Sequence, residues 1–165
     1  MPIINLTDLR ASLPRGARLL GLDPGSRTIG VALSDVTLML ASPYGSLPRG
    51  KLSDAAAALM RIARKEGAAG LVVGLPLSLD GTAGPAAQAA RDWTHALSTA
   101  TGLPAALWDE RLSSAAVNRF LIAEADMTRK RRAEVVDRMA AAYMLQAALD
   151  ATRGADNDGR DVRGH

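Results

Sequence analysis

Cysteine is absent from this chain of 165 residues, which excludes a disulfide scaffold and any thiolate metal site. The absence is compatible with a reducing cytosol, and a cytoplasmic location is the expectation. Aromatic residues make up only 3% of the chain, few for stacking on bases, and no base-reading module is recognisable. Histidine occurs twice, as His95 within a helical pattern and His165 in the tail, and both read as incidental. No apolar run approaches the ~20 residues of a membrane span. The stretch from Met1 to Arg18 carries Asp8, Pro14 and scattered charge where a secretory signal would have an apolar core. No membrane partner is therefore expected.

What the chain does have is aliphatic bulk. Hydrophobic residues are 48% of the sequence and alanine is abundant, which suits one domain with a tightly packed core in which small residues let helices approach a sheet. The net charge is +3 and the isoelectric point about 9.8, a modest excess and weak evidence of a nucleic-acid partner. Its distribution says more. Arg129, Lys130, Arg131 and Arg132 form an unbroken basic run, while Asp156, Asp158 and Asp161 gather near the carboxyl terminus. Basic residues are mostly Arg, which grips phosphate with two parallel hydrogen bonds, although genome composition produces the same bias.

The patterning predicts an extension over residues 1–17 with a helical turn near Leu6–Leu13. A strand is expected over Arg18–Asp23, stopped by Pro24-Gly25, and a second over Thr28–Ser34. The two are close enough in sequence to pair as an antiparallel hairpin. Met39–Leu47 reads as a third strand, which Pro43 marks as irregular or at an edge. Helices are expected over Leu52–Lys65, Pro85–Thr101, Leu112–Ala123 and Ala133–Ala151, with Gly67 and Gly102 as stops. Strands are expected over Gly70–Gly74 and Pro104–Asp109, and a Pro/Gly/Asp loop over Leu75–Gly84. Residues 153–165 read as a flexible polar tail. A three-stranded meander followed by strand–helix alternation makes a mixed α/β sheet, because right-handed crossovers keep the later strands parallel.

Asp23, Glu110 and Asp137 each interrupt an apolar stretch where an element ends or turns inward. A carboxylate among apolar neighbours is costly unless paired, and with no thiolate and almost no imidazole the fitting partner is a hard divalent cation. Each acid also has a blander reading. Asp before Pro-Gly is a common turn residue, although Gly25 and Gly30 leave open backbone beside it. Asp109 and Glu110 are neighbours on a strand, so at most one shares a face with Asp23; the other would be a surface acid beside Arg111, and spacing does not choose between them. Asp137 lies on a helical stripe with Ala133, Ala140, Ala141, Met144 and Ala148, an apolar face in which an acid is out of pattern; its blander reading, a helical salt bridge with Arg138 or the neighbours of Glu134, is weakened because adjacent residues do not face each other on a helix. The run Arg129–Arg132 fits phosphate tracking beside a metal site or, more blandly, a solvated helix start.

Four segments together resemble the YqgF family: Leu20-Gly-Leu-Asp-Pro-Gly-Ser-Arg-Thr-Ile-Gly-Val-Ala-Leu-Ser-Asp35, Gly74-Leu-Pro-Leu-Ser-Leu-Asp-Gly-Thr82, Asp109-Glu-Arg-Leu-Ser113 and Val135-Val-Asp-Arg-Met-Ala-Ala141. The resemblance spans roughly residues 18–150, and four motifs in order are far more specific than any one of them. Members are bacterial proteins of ribonuclease H-like fold, described as pre-16S rRNA nucleases and as Holliday-junction resolvase-like. The resemblance implies a five-stranded mixed sheet with helices on both faces, occupying 18–152. It implies that the acids of the first motif, the Asp-Glu-Arg motif and the last helix fall on Asp23, Glu110 and Asp137, which selects Glu110 over Asp109. Pro24 departs from the aromatic or aliphatic residue frequent at that position, stiffening the turn while leaving the acid in place.

These implications make phosphodiester hydrolysis with Mg²⁺ or Mn²⁺ the expected chemistry, with the three acids as metal ligands. Arg27 and Arg111 are candidates to hold flanking phosphates, and Arg129, Lys130, Arg131 and Arg132 to contact more distant backbone. The expected substrate is structured RNA in a ribosome precursor, with branched DNA as the alternative; a monomer and a homodimer are both compatible. Two rivals stand beside this reading. An Asp-x-Gly hairpin also opens the ATP-binding domains of sugar kinases, actin and Hsp70-like proteins, but those close two such domains around the nucleotide and this chain has room for one. A non-catalytic ribosome-assembly module is the other, although a pure phosphate binder gains nothing from buried negative charge.

Overall fold

In the computed structural model the described residues are 3–25, 27–75, 84–109 and 129–154, with the side chains of 129–134 and 137 outside the description. The apolar run after Ala17 becomes β1 (Arg18–Pro24), buried on both faces, as its near-continuous Leu and Gly content requires of a central strand. It pairs antiparallel with β2 (Thr28–Ser34), matching Asp23 with Gly30 and Leu20 with Leu33. On its other side it pairs in parallel with β4 (Ala68–Leu75). β4 in turn pairs in parallel with β5 (Ala105–Asp109), and β3 (Ala41–Pro48) lies antiparallel on β2. The sheet order β3-β2-β1-β4-β5 is the mixed five-stranded arrangement expected.

Helices cover both faces. α2 (Leu52–Glu66) leads from β3 to β4 and α3 (Pro85–Thr101) from β4 to β5; they end at Gly67 and Gly102, whose φ angles of 72° and 73° are left-handed, the conformation glycine adopts without penalty. Their residues Ala55, Ala56, Leu59 and Leu97 pack with Leu20, Leu22, Ile29, Val31, Leu71 and Val73. Each fully buried Leu or Val contributes about 1.5–3 kcal/mol of burial free energy. The opposite face is covered by α1 (Leu6–Ser12) and α4 (Arg129–Ala151), where Leu6, Leu9, Leu19, Ala32, Val72, Ala106, Ala141, Met144, Leu145 and Leu149 form a second core.

Several boundaries differ from expectation for local reasons. The residues before Arg18 join the core: Leu9 is fully buried and Ile3 bridges to Ala105. β3 begins two residues later than Met39 because the Met39 and Leu40 N–H groups donate to the Asp35 carboxylate at 2.9 and 3.1 Å. They close the hairpin loop instead of extending the ladder. Pro43 stands where the register with β2 shifts, as expected for proline on an edge strand. α4 includes Arg129–Arg132 as backbone helix, four residues more than the apolar periodicity indicated. The expected loop beyond Leu75 and helix over Leu112–Ala123 fall outside the described residues.

Candidate active site at the carboxyl edge of the sheet

Strand alternation assigns every acid near β1 and β5 to a face. In the paired registers Leu22 sits beside Val73, Val73 beside Leu107 and Leu75 beside Asp109. Side chains two residues apart on a strand share a face, so Leu20, Leu22, Val73, Leu75, Leu107 and Asp109 share the α2/α3 face. Gly21, Asp23, Gly30, Ala32, Gly74 and Trp108 belong to the α4 face. Asp109 therefore points away from Asp23, and of the two neighbouring acids it is the one excluded as a partner.

Asp23 is 5% exposed, the penultimate residue of the central strand before the turn. Its antiparallel neighbour is Gly30, and the residue following Val73 in the parallel neighbour is Gly74. Neither flanking strand position contributes a side chain beside this carboxylate. The Gly25 N–H donates to the Thr28 carbonyl at 2.8 Å, which closes the turn directly after the acid.

α4 reaches the same edge. Leu145 stands over Gly21, Gln146 bonds the Ala41 N–H and the Met39 carbonyl, and the Leu149 carbonyl accepts from Arg10. These contacts progress toward the end of the sheet remote from Asp23, so the preceding turns of α4 run toward the Asp23 end. Asp137 precedes Leu145 by eight residues, about 12 Å along a helix axis. Asp23 lies only about 7 Å along the strand from Gly21. The α4 backbone thus carries position 137 to the rim where Asp23 ends its strand, with positions 129–132 further along the same helix. Buried Ala140, Ala141, Met144 and Ala148 are the small-residue stripe that permits the close approach.

Arg27 is exposed just past the turn. Glu110 and Arg111 lie outside the described residues, as do the side chains of Asp137 and of Arg129, Lys130, Arg131 and Arg132. Among the described residues no group of three or more His, Asp or Glu side chains converges. One cation at this edge was not singled out from the sequence. The Arg49 Nη1–H donates to the Gly25 carbonyl at 2.6 Å, the Arg49 backbone N–H donates to the Arg27 carbonyl at 2.9 Å, and its guanidinium lies 5.3 Å from the centre of the Trp93 ring. The available signal was topological: a third strand antiparallel to β2 must end beside the turn that follows Asp23.

Comparison with known proteins places these features. A family model described as RuvX, Holliday junction resolvase, matches residues 17–151. A protein of Gluconacetobacter diazotrophicus named as a proposed pre-16S rRNA nuclease is 69% identical over 92% of this chain and 99% of its own length. A protein of Acidiphilium cryptum with the same name is 67% identical over 91% of this chain and 94% of its own length. Among solved structures, T. thermophilus RuvC in complex with a Holliday junction substrate superposes with a TM-score of 0.51 at 12% identity, covering 84% of this chain and 97% of that one; the likeness is one of fold. Among the described residues, no helix is long and apolar enough to cross a membrane.

Proposed function

This chain belongs to the RuvX family of Holliday junction resolvases, and from that premise we propose that it is a divalent-metal-dependent nuclease of the cytoplasm that processes the 5′ end of pre-16S rRNA. The observation that carries the reading is Asp23, a buried acid at the end of the central strand. It is flanked by glycine on the face that α4 covers. The substrate class follows from the names of relatives 67–69% identical over nearly the whole chain.

Asp23, Glu110 and Asp137 would hold Mg²⁺ or Mn²⁺, oxygen ligands suited to a hard cation, which when bound supplies an activated water and relieves charge on the leaving oxygen. The protein's part is positional. β1, the central strand, holds the Asp23 carboxylate, and Gly30 opposite it adds no side chain there. Arg27 and Arg111 hold flanking phosphates, and Arg129–Arg132 on α4 meet more distant backbone. The catalytic unit is residues 18–152.

A second reading, cleavage of branched DNA, draws support from the description of the matched family. One experiment separates the two. A precursor 16S rRNA fragment and a four-way DNA junction are incubated side by side with Mg²⁺, Mn²⁺ or EDTA. Metal-dependent trimming of the RNA 5′ end is the expected result. Cleavage of the junction alone transfers the assignment to DNA. Binding of either substrate without turnover under every metal reduces the protein to an assembly module.

A further inference from the structure

Beyond the acids, the carboxyl edge of the sheet carries a basic surface on the β3 side. Arg27 precedes β2, Arg49 follows the end of β3, and Lys51 precedes α2. The Arg49 N–H to Arg27 carbonyl bond fixes these segments against each other. Arg27 and Lys51 are exposed and Arg49 is half-buried. Among the described residues none of the three forms an ion pair, and the nearest acid in sequence, exposed Asp54, forms none with Lys51. Cations without an ion-pair partner among the described residues favour a bound polyanion.

Arg49 is held in a way that a solvated surface cation is not. One nitrogen is tied to the Gly25 carbonyl and the planar group is supported by Trp93. Stacking on an indole and donating to a carbonyl leave other N–H groups of the fork to face the rim. Immobilised in advance, such a guanidinium loses little side-chain entropy on gripping a phosphate. The carbonyl it holds is two residues from Asp23, so Arg49 is anchored to the turn that follows the acid.

We propose that Arg49, with Lys51 and Arg27, is a phosphate-binding surface that grips the nucleic-acid backbone on the β3 side of the acidic site, opposite the side approached by α4. The proposal rests on the nuclease reading for the identity of the ligand, but its test reads binding and not cleavage. A fluorescein-labelled RNA stem-loop with a single-stranded overhang is titrated against the Asp23→Asn protein in Mg²⁺ buffer at several salt concentrations. The parent is compared with Arg49→Gln, Lys51→Gln, the double variant, and Arg64→Gln at the far end of α2 as control. Each phosphate contact contributes roughly 0.7 to 0.9 to the slope of log K against log salt. The double variant should therefore lose about 1.4 to 1.8 of slope, Lys51→Gln alone about half of that, and the control none.

Arg49→Lys keeps the charge and most of the slope while weakening binding, because the fork is lost. An unchanged slope in both Lys51→Gln and the double variant overturns the proposal and leaves Arg49 as a brace of the turn. The exposed Lys51 side chain forms no hydrogen bond or ion pair with described residues, so its variant tests the surface even if loss of Arg49 loosens the fold. Wild-type protein that cleaves nothing but binds with the full slope, reduced in the variants, removes the nuclease reading and leaves this surface standing.

Discussion

A Cβ atom added to Gly21 would stand 2.8 Å from the Cβ of Leu145. That contact sets how closely α4 lies on β1, two residues before Asp23. Since the obstacle is a Cβ and not the tip of a flexible side chain, it cannot rotate away. Gly21→Ala should destabilise the protein by roughly 1–3 kcal/mol through overpacking, measured as a lower urea midpoint. Leu145→Ala in the same chain removes the contacts to the Leu145 Cγ and Cδ2 but keeps its Cβ, so it should not restore stability. Full rescue would show that the helix is free to shift.

Replacement of Asp23 by Asn keeps size and shape while removing the charge that would hold a cation. Metal-dependent cleavage should fall by on the order of a hundredfold or more, with the melting temperature within a few degrees of wild type. Retained full activity would take Asp23 out of the mechanism.

Asp35 anchors the β2–β3 hairpin loop. Partial burial acts to raise its pKa, but hydrogen bonds from the Thr37 hydroxyl and from the Met39 and Leu40 N–H groups outweigh it and hold the carboxyl below its usual value of 3.8. A carboxylate with a depressed folded pKa contributes stability that is complete above the unfolded value and is lost as pH falls through the folded one. The stability advantage of wild type over Asp35→Asn should therefore be constant from pH 7 to about 5 and shrink below pH 4. Urea unfolding at pH 7 and pH 3 measures it, and a gap that widens in acid would contradict the assignment.

Arg10 is 3% exposed. It donates to the Leu149 carbonyl at 3.0 Å, the Thr152 hydroxyl at 3.2 Å and the Leu38 carbonyl at 3.3 Å, so α1 secures the carboxyl end of α4, where a cation also complements the helix dipole. Arg10→Met should cost roughly 2–4 kcal/mol by stranding these acceptors, and Arg10→Lys should recover little, because an ammonium cannot reproduce the fork. Thermal melts of both variants check this, and equal recovery by lysine would point to charge alone.

The elements most legible in the sequence were those with local stop signals. Pro85 opens α3 and Gly102 closes it at the expected residues, because a ring that lacks an N–H and a residue free to adopt positive φ act without help from the rest of the chain. The hairpin of β1 and β2 was legible for the same reason. Where a side chain from elsewhere captured backbone groups, as Asp35 did at Met39 and Leu40, the boundary moved. Asp23 was visible as an acid in an apolar strand. Arg49 was not, because nothing in Pro48-Arg49-Gly50-Lys51 reveals which turn a guanidinium will meet.

By itself the sequence determined the alternation along each strand, the helical stripe of α4 and the position of an acid at the end of β1, since these depend only on the periods of 2 and 3.6 residues. Strand alternation left open which acid of the pair 109 and 110 shares the face of Asp23, because it relates neighbours on one strand and not faces across a sheet; only the family resemblance pointed to Glu110. The registers of β1 with β4 and of β4 with β5 decided that Asp109 points to the other side. Only packing against α4, permitted by the missing side chain at Gly21, decided which helix covers the face of Asp23.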